Sequence, residues 1–320
     1  MFQRTRSRAT AALSAGVLLA GGLVAAGQSP ALAAESSPVG FAGLNGGTPG
    51  GSAGTVVTVT SASALKSALS SSTSQTVRVS GLISISGMYN VASNKTVIGV
   101  GSGSGITGGG LNLSGVRNVI LRNLVFRNAS DDSINIQSGT TNVWVDHNDL
   151  ANGYDGLIDI KRGSDYITVS WNRLHDHDKS MLLGHDDGNA SQDLGKLRVT
   201  YVHNWFDGTG QRHPRVRFGN PVHVLNNYYS NIGSYGVAST MNAGVFVERN
   251  YFENVGSPTI TQTGDSDPGN LKVLNNYKVN SGTEQVRNGA SVAAIPYSYT
   301  PQANNTVKAT VVAGAGTGKI

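Results

Sequence analysis

Residues 208–220 read GTGQRHPRVRFGN and set Arg212, His213, Arg215 and Arg217 around Pro214. Only 13% of the chain is charged, so this basic density points either to an anionic ligand or to an exposed basic loop. A second group has the opposite sign. The stretch YDGLIDIKRG (154–163) carries Asp155 and Asp159, with Lys161 close behind. In a strand, side chains alternate, so the two carboxylates fall on one face. Leu157 shares that face, and a bend near Gly156 is expected to bring the carboxylates together. Asp132, upstream, can complete a three-carboxylate group. Such a group repels itself unless it is protonated or bound to a cation. Oxygen ligands without cysteine or an organised histidine set favour Ca²⁺ over zinc. On spacing alone, a solvated acidic face is the equal alternative. Lys179, Arg212 and Arg217 supply cations, and arginine suits a carboxylate through its planar fork. Metal and cations together would suit an acidic ligand.

The elements that must position these residues repeat. NVILRNLVF (118–126), NVWVDHNDL (142–150), YITVSWNRL (166–174), RVTYVHNWF (198–206), VHVLNNYYS (222–230), VFVERNYFE (245–253) and LKVLNNYKV (271–279) are alternating apolar strands leading to an asparagine. The asparagines are Asn123, Asn148, Asn172, Asn204, Asn227, Asn250 and Asn276, at spacings of 25, 24, 32, 23, 23 and 26. KTVIGVG (95–101) reads as an earlier coil with Gly99 in the asparagine's place. A strand-and-turn period in the twenties signals a solenoid, and the fixed leucine spacing of leucine-rich repeats is missing. In a β-solenoid each coil buries its apolar residues against its neighbours. Aligned asparagines would form a hydrogen-bonded ladder at a tight turn, a structural rather than chemical role.

With the asparagines as a ruler, the charges fall in phase. Asp132 lies 9 residues after Asn123, Asp155 lies 7 after Asn148, Lys179 lies 7 after Asn172, and Arg212 lies 8 after Asn204. Coils stacked about 4.8 Å apart would merge them into one patch, acidic at one end and basic at the other.

The rest of the chain frames this repeat. Arg4, Arg6 and Arg8 precede an apolar run from Ala9 to Gly27 and small residues at Ala31-Leu32-Ala33, the three-part form of a secretory signal peptide over residues 1–34. Its removal lowers the formal charge from +5 to +2, which gives little support for nucleic-acid binding. No other long apolar run is present, so no membrane partner is expected of residues 35–320. The chain has 42 glycines in 320 residues and no cysteine, which suits a turn-rich β protein held by its own core. Residues 36–54 are expected to be loop-like, and SASALKSALSS (61–71) to be a short helix with Leu65 and Leu69 on one face. The long coil places a polar loop at GHDDGNASQDLGK (184–196). Helical spacing of Val307, Val311 and Ala315 suggests a tail that covers the side or end of the solenoid. No segment signals an oligomer, and a monomer is expected.

These stretches, with GFAGLNGGTPGG (40–51), SNKTVIGVG (93–101), YDGLIDIKRGSDYITVSWNRLHDHDKSMLLG and RHPRVR, resemble the secreted pectate lyases of polysaccharide lyase family one across essentially the whole mature chain. The resemblance implies an all-β, right-handed, single-stranded parallel β-helix over residues 35–320 and Ca²⁺-dependent cleavage of polygalacturonate. It implies Asp132, Asp155 and Asp159 as Ca²⁺ ligands, with Asp131 adjoining the first of them. Lys179 is implied as substrate-binding, Arg212 as catalytic base and Arg217 as substrate-binding; Lys161 is a further substrate-side candidate. Asp146 and His147 fit the family's Trp-x-Asp-His motif but sit at the ladder's phase, and we read them as structural. The histidines of HDHD (175–178) and His185 read as solvent-facing loop residues.

The reaction implied is β-elimination: a base takes the C5 proton of a galacturonate and the C4–O bond breaks. A free guanidinium keeps its proton, so the bare sequence suggests only anion binding for Arg212; nearby cations would favour its deprotonation. Three rivals stand. A pectin lyase would act on methyl-esterified polymer without Ca²⁺ and would not need three carboxylates. A hydrolase would need an acid and a carboxylate flanking the bond. A polysaccharide-binding solenoid would make no product.

Overall fold

The computed structural model describes Met1 and residues 35–320, so the leader expected over residues 1–34 lies, apart from Met1, outside the described residues. From Thr55 onward, runs of alternating apolar residues become short strands, each burying one face. They stack into three parallel sheets that the chain visits in turn. The first sheet contains Thr55–Val59, Gln75–Val79, Lys95–Gly99, Arg117–Arg122, Thr141–Asp146, Asp165–Ser170, Val199–Val202, Val222–Leu225, Gly244–Glu248 and Asn270–Leu274. The second runs from Val125–Arg127 through Asp149–Ala151, Arg173–His175, Trp205–Asp207, Tyr228–Ser230 and Tyr251–Glu253 to Tyr277–Val279. The third contains Ile134–Gln137, Ile158–Ile160, Met181–Leu183, Arg215–Arg217, Val237–Thr240 and Thr259–Ile260. The long strand Gly105–Ser114 joins the second and third sheets: Gly105–Thr107 pairs with Val125–Arg127, and Leu111–Ser114 with Ile134–Gln137. This is the right-handed, single-stranded parallel β-helix expected from the repeat and the resemblance.

The core consists of columns along the axis. Val97, Leu121, Val145, Val169, Tyr201, Val224 and Val247 stand in register on the first sheet, all fully buried. On the second sheet Phe206, Tyr229 and Phe252 stack with ring centroids 4.8 and 4.5 Å apart. These contacts satisfy each coil only through its neighbours, so stability is a property of the stack.

The asparagine ladder forms, with one correction. Asn148, Asn172, Asn204, Asn227, Asn250 and Asn276 are linked in series, each amide Nδ2 donating to the next Oδ1 at 2.9–3.1 Å. Asn123 is not a rung. The acceptor Oδ1 of Asn148 takes the backbone N–H of Leu124, so Leu124 holds the ladder's place in that coil. Asn123 stands instead beside His147, Trp171, His203, Asn226, Arg249 and Asn275, all with φ between 51 and 56°. That column makes the left-handed bend between the first and second sheets, and asparagine tolerates the bend better than most residues.

The flanking segments close the solenoid. Ser61 caps the helix Ala62–Ser70 by accepting the Ala64 N–H, and Leu65 and Leu69 enter the core. The glycine-rich stretch contains the 3₁₀ turn Phe41–Gly43, whose Ala42 packs on Ile120 and Trp144 of the first sheet's outer side. The helix Val307–Gly314 lies over the second sheet, with Val307, Val311 and Ala315 against Trp205, Tyr228 and Tyr251. The tail therefore covers a side. The third sheet and the turn that enters it carry the candidate site residues.

Candidate active site

The corrected ladder resets the phase of the charges. Counted from Leu124, Asn148 and Asn172, residues Asp131, Asp155 and Lys179 each lie 7 positions on. Asp132 therefore shares its phase with Gly156, Ser180 and Arg212, one position later. Backbone bonds fix this register: Ser133 N–H to Gly156 O at 3.1 Å, Leu157 N–H to Ser180 O at 3.2 Å, and Met181 N–H to Arg212 O at 2.7 Å. All these residues occupy the turn entering the third sheet, where successive coils bring them together.

Asp131, Asp132 and Asp155 each present a carboxylate oxygen within 4.8 Å of the others. The expected trio was Asp132, Asp155 and Asp159. The structure brings in Asp131 and sets Asp159 behind the group, on the strand Ile158–Ile160. Asp131, noted in the sequence beside Asp132, falls at the phase of Asp155 once the ruler starts at Leu124 instead of Asn123. Asp159 is buried, and its Oδ1 has no hydrogen-bond partner. Burial, with the neighbouring Asp132 charge, pushes its carboxyl up to about 8. Burial also raises Asp132, against the pull of Lys161 and of the Gly156 N–H, which donates to Asp132 Oδ1 at 3.0 Å. Asp155 shifts the other way: Lys179 Nζ donates to its Oδ1 at 2.9 Å and holds it below the usual carboxylate range.

Gly156 makes room for this arrangement. A Cβ there would lie 2.3 Å from Asp159 Oδ1 and 2.9 Å from Asp132 Oδ1. The bend expected at Gly156 is thus a cradle between two carboxyl groups. An orphaned buried oxygen, a cradle kept free of any side chain and an all-oxygen donor set fit a hard cation such as Ca²⁺. His177 steadies the loop, its ring nitrogen 2.8 Å from the Asp155 carbonyl oxygen.

The basic half adjoins this group. Lys161 Nζ lies 3.3 Å from Asp132 Oδ2. Arg212 adopts φ of 63°; its positive charge adds to the lowering of Asp155 by Lys179 and opposes the rise of Asp159 caused by burial. Its Nε is buried without a protein partner. Arg217 is largely buried; its Nε donates to Asp187 Oδ1 at 2.5 Å and its Nη1 to the Gly184 carbonyl at 2.9 Å. Arg215 sends Nη2 to the Ser266 hydroxyl at 2.8 Å.

His213 is not one of the cations. It is fully buried between Thr209 Oγ1 and the Tyr235 carbonyl, both at 2.8 Å, and burial pushes its pKa down to about 4. Asp146 and His147 have the structural role expected. The Asp146 carboxylate receives Arg122 at 2.7 Å and Ser170 at 2.6 Å, and lies 2.7 Å from the His147 ring, all on the first sheet. His175 bonds Asp149 and Asp176 on the second sheet rather than facing solvent freely.

A family model described as pectate lyase matches residues 7–320 of this chain. A probable pectate lyase B of Aspergillus terreus is 40% identical over 299 residues, covering 90% of this chain and 91% of that protein. A pectate trisaccharide-lyase of Bacillus licheniformis is 37% identical over 306 residues, covering 90% and 88%. The solved structure of a pectate lyase from Bacillus sp. N165 in complex with trigalacturonate matches with a TM-score of 0.79 at 30% identity, over 88% of this chain and 99% of that one. On this sequence and structural likeness, the chain belongs to the pectate lyase family.

Proposed function

We propose that residues 35–320 form a secreted, Ca²⁺-dependent pectate lyase that cleaves (1→4)-α-D-galacturonan by β-elimination. One observation carries this reading: a cation-ready carboxylate group and a column of Lys and Arg side chains lie side by side on the third sheet. That pairing suits a polyanion, whose own carboxylates need both a bridging metal and organic cations. Asp131, Asp132 and Asp155 would hold the ion, with Asp159 joining once its proton is displaced. When bound, Ca²⁺ would neutralise a substrate carboxylate and make the adjacent C5–H more acidic.

The chain's own residues do the rest. Lys179 and Arg217 bind and orient galacturonate carboxylates, with Lys161 beside the metal ligands. Arg212, in the turn between the carboxylate group and the strand Arg215–Arg217, would act as a neutral guanidine that takes the C5 proton and becomes a guanidinium. The C–H electron pair becomes the C4–C5 double bond, the C4–O bond breaks, and the departing oxygen takes up a proton. Fixed cations in a partly buried site stabilise the charge that develops beside the carboxylate. The leader with its Ala-x-Ala site supports export to where the polymer lies.

The test is ultraviolet absorbance of the conjugated product during incubation with polygalacturonate, with and without chelator. Absorbance that grows with Ca²⁺ and stops in chelator is expected. Growth that survives complete Ca²⁺ removal overturns the metal requirement and favours a pectin lyase. New reducing ends without absorbance mean a hydrolase, and binding without product means a binding module.

A further inference from the structure

The polar loop of the long coil carries a carboxylate that the proposed reaction does not use. Asp187 Oδ1 holds Arg217 Nε at 2.5 Å. Both Asp187 oxygens also lie 2.8 Å from the Ser266 hydroxyl, from a loop three coils further on. That hydroxyl in turn accepts Arg215 Nη2 at 2.8 Å. One carboxylate and one hydroxyl therefore tie together two arginines of the RHPRVR strand and two separate loops. The stem of Arg217 is held as well. Gly184 has φ of +81°, and a Cβ there would lie 2.9 Å from the Arg217 Cβ. With Nε on Asp187 and Nη1 on the Gly184 carbonyl, Nη2 is the guanidinium nitrogen left without a protein partner among the described residues.

We propose that Asp187, through Ser266, is a positioning residue that fixes the Arg217 guanidinium so that Nη2 meets a galacturonate carboxylate. The inference rests on the lyase reading above. An arginine side chain has several rotatable bonds, and one fixed before binding loses less freedom on meeting its ligand. The arrangement also explains why the long coil is long. The extra residues bring a carboxylate to an arginine that the regular coils leave without one. Arg215 completes the device from the other side: it shares Ser266 and keeps the hydroxyl aimed at Asp187.

Asp187→Asn keeps the shape of the side chain and removes its charge. Steady-state kinetics on polygalacturonate should show KM raised about tenfold with kcat little changed, the signature of lost ground-state binding. Ser266→Ala should raise KM less, and Ser266→Thr, which keeps the hydroxyl, should recover most of that loss. The double variant Asp187→Asn with Ser266→Ala should fall short of the summed effects, because both act through one network. Should Asp187→Asn fail to fold, the Ser266 pair decides. Melting points lowered with KM unchanged in both variants would overturn the proposal and leave Asp187 as a loop staple. A wild-type protein that makes no unsaturated product would overturn the lyase reading itself, and this inference with it.

Discussion

Lys179 reaches back across one coil to Asp155, Nζ to Oδ1 at 2.9 Å, so the nearest basic and acidic members of the site are paired in the free protein. Both side chains remain partly exposed, at 38% and 46%. An exposed pair of this kind contributes about 0–1 kcal/mol to stability. A metal ion on Asp155 would compete for the carboxylate and release the ammonium toward a substrate carboxylate. The pair is therefore better read as a held position for Lys179 than as a brace for the fold. Lys179→Ala is expected to shift the denaturation midpoint by less than about 1 kcal/mol while raising KM for polygalacturonate. A large stability loss with unchanged KM would reverse that reading.

The carboxylates also set a pH dependence. Asp159 is pushed up to about 8, whereas an unfolded chain releases this proton near 3.8. Between those values the native state holds the extra proton, so stability falls as pH rises. His203 and His213, both pushed down to about 4 by burial, act in the opposite sense. Below their usual 6.5 the unfolded chain holds the extra protons, so stability rises with pH up to that point. Above 6.5 the histidine gain is complete and the Asp159 loss remains. His175, raised by its bond to Asp149, adds a loss in the same direction. Metal-free protein should therefore melt lower at pH 8 than at pH 6.5, and Asp159→Asn should remove its share of the decline. Melting curves of both proteins in chelator check this; equal declines would exclude Asp159 as a source.

The fold was legible because its determinants are periodic. Alternation in the strands, a repeat in the twenties and a recurring asparagine leave little choice but a stack of coils. The site was legible only to within one residue. Asn123 and Asn148 look like equivalent rungs, but Asn123 is at the left-handed bend and Leu124 at the rung. That slip put Asp131 out of phase, although it lies 7 residues past Leu124 as Asp155 does past Asn148 and Lys179 past Asn172. His213 sits in a cationic motif yet is neutral, because burial is a tertiary fact that composition does not carry. The partnership of Arg217 with Asp187 was out of reach for a similar reason: it spans a loop whose length the repeat does not govern.

The ladder itself can be tested at Asn172. Its Oδ1 accepts Asn148 N–H at 3.0 Å and Nδ2 at 2.9 Å, and its Nδ2 donates to Val145 O and Asn204 Oδ1 at 3.0 Å each. All these groups are buried, so Asn172→Ala strands the Asn148 N–H and takes one partner each from Val145 O, Asn148 Nδ2 and Asn204 Oδ1. Each orphaned group costs about 1–3 kcal/mol, and a total loss of about 2–5 kcal/mol is expected in the denaturant midpoint. Asn123→Gly, which keeps the left-handed bend and loses bonds to the Gly99 and Gly101 carbonyls and from the Gly318 N–H but breaks no rung, should cost less. Equal losses would mean that the serial amide chain adds nothing beyond a local turn.

Arg212 carries the sharpest prediction, because its chemistry is the least ordinary. Its charge acts on Asp155 and Asp159, and its buried Nε has no protein partner. The neighbours therefore do not need a guanidinium for their own hydrogen bonds. Lysine keeps the positive charge and can take up the same backbone turn, but it lacks the planar fork and the several nitrogens through which arginine meets a substrate and a proton together. Arg212→Lys should leave the melting point nearly unchanged. It should lower turnover by about 10²–10⁴-fold, the usual contribution of a positioned proton-transfer group. Product absorbance and a melting curve on the same preparation check both halves. Near-normal turnover in a folded variant would remove Arg212 from the base's position and return the proton to another group.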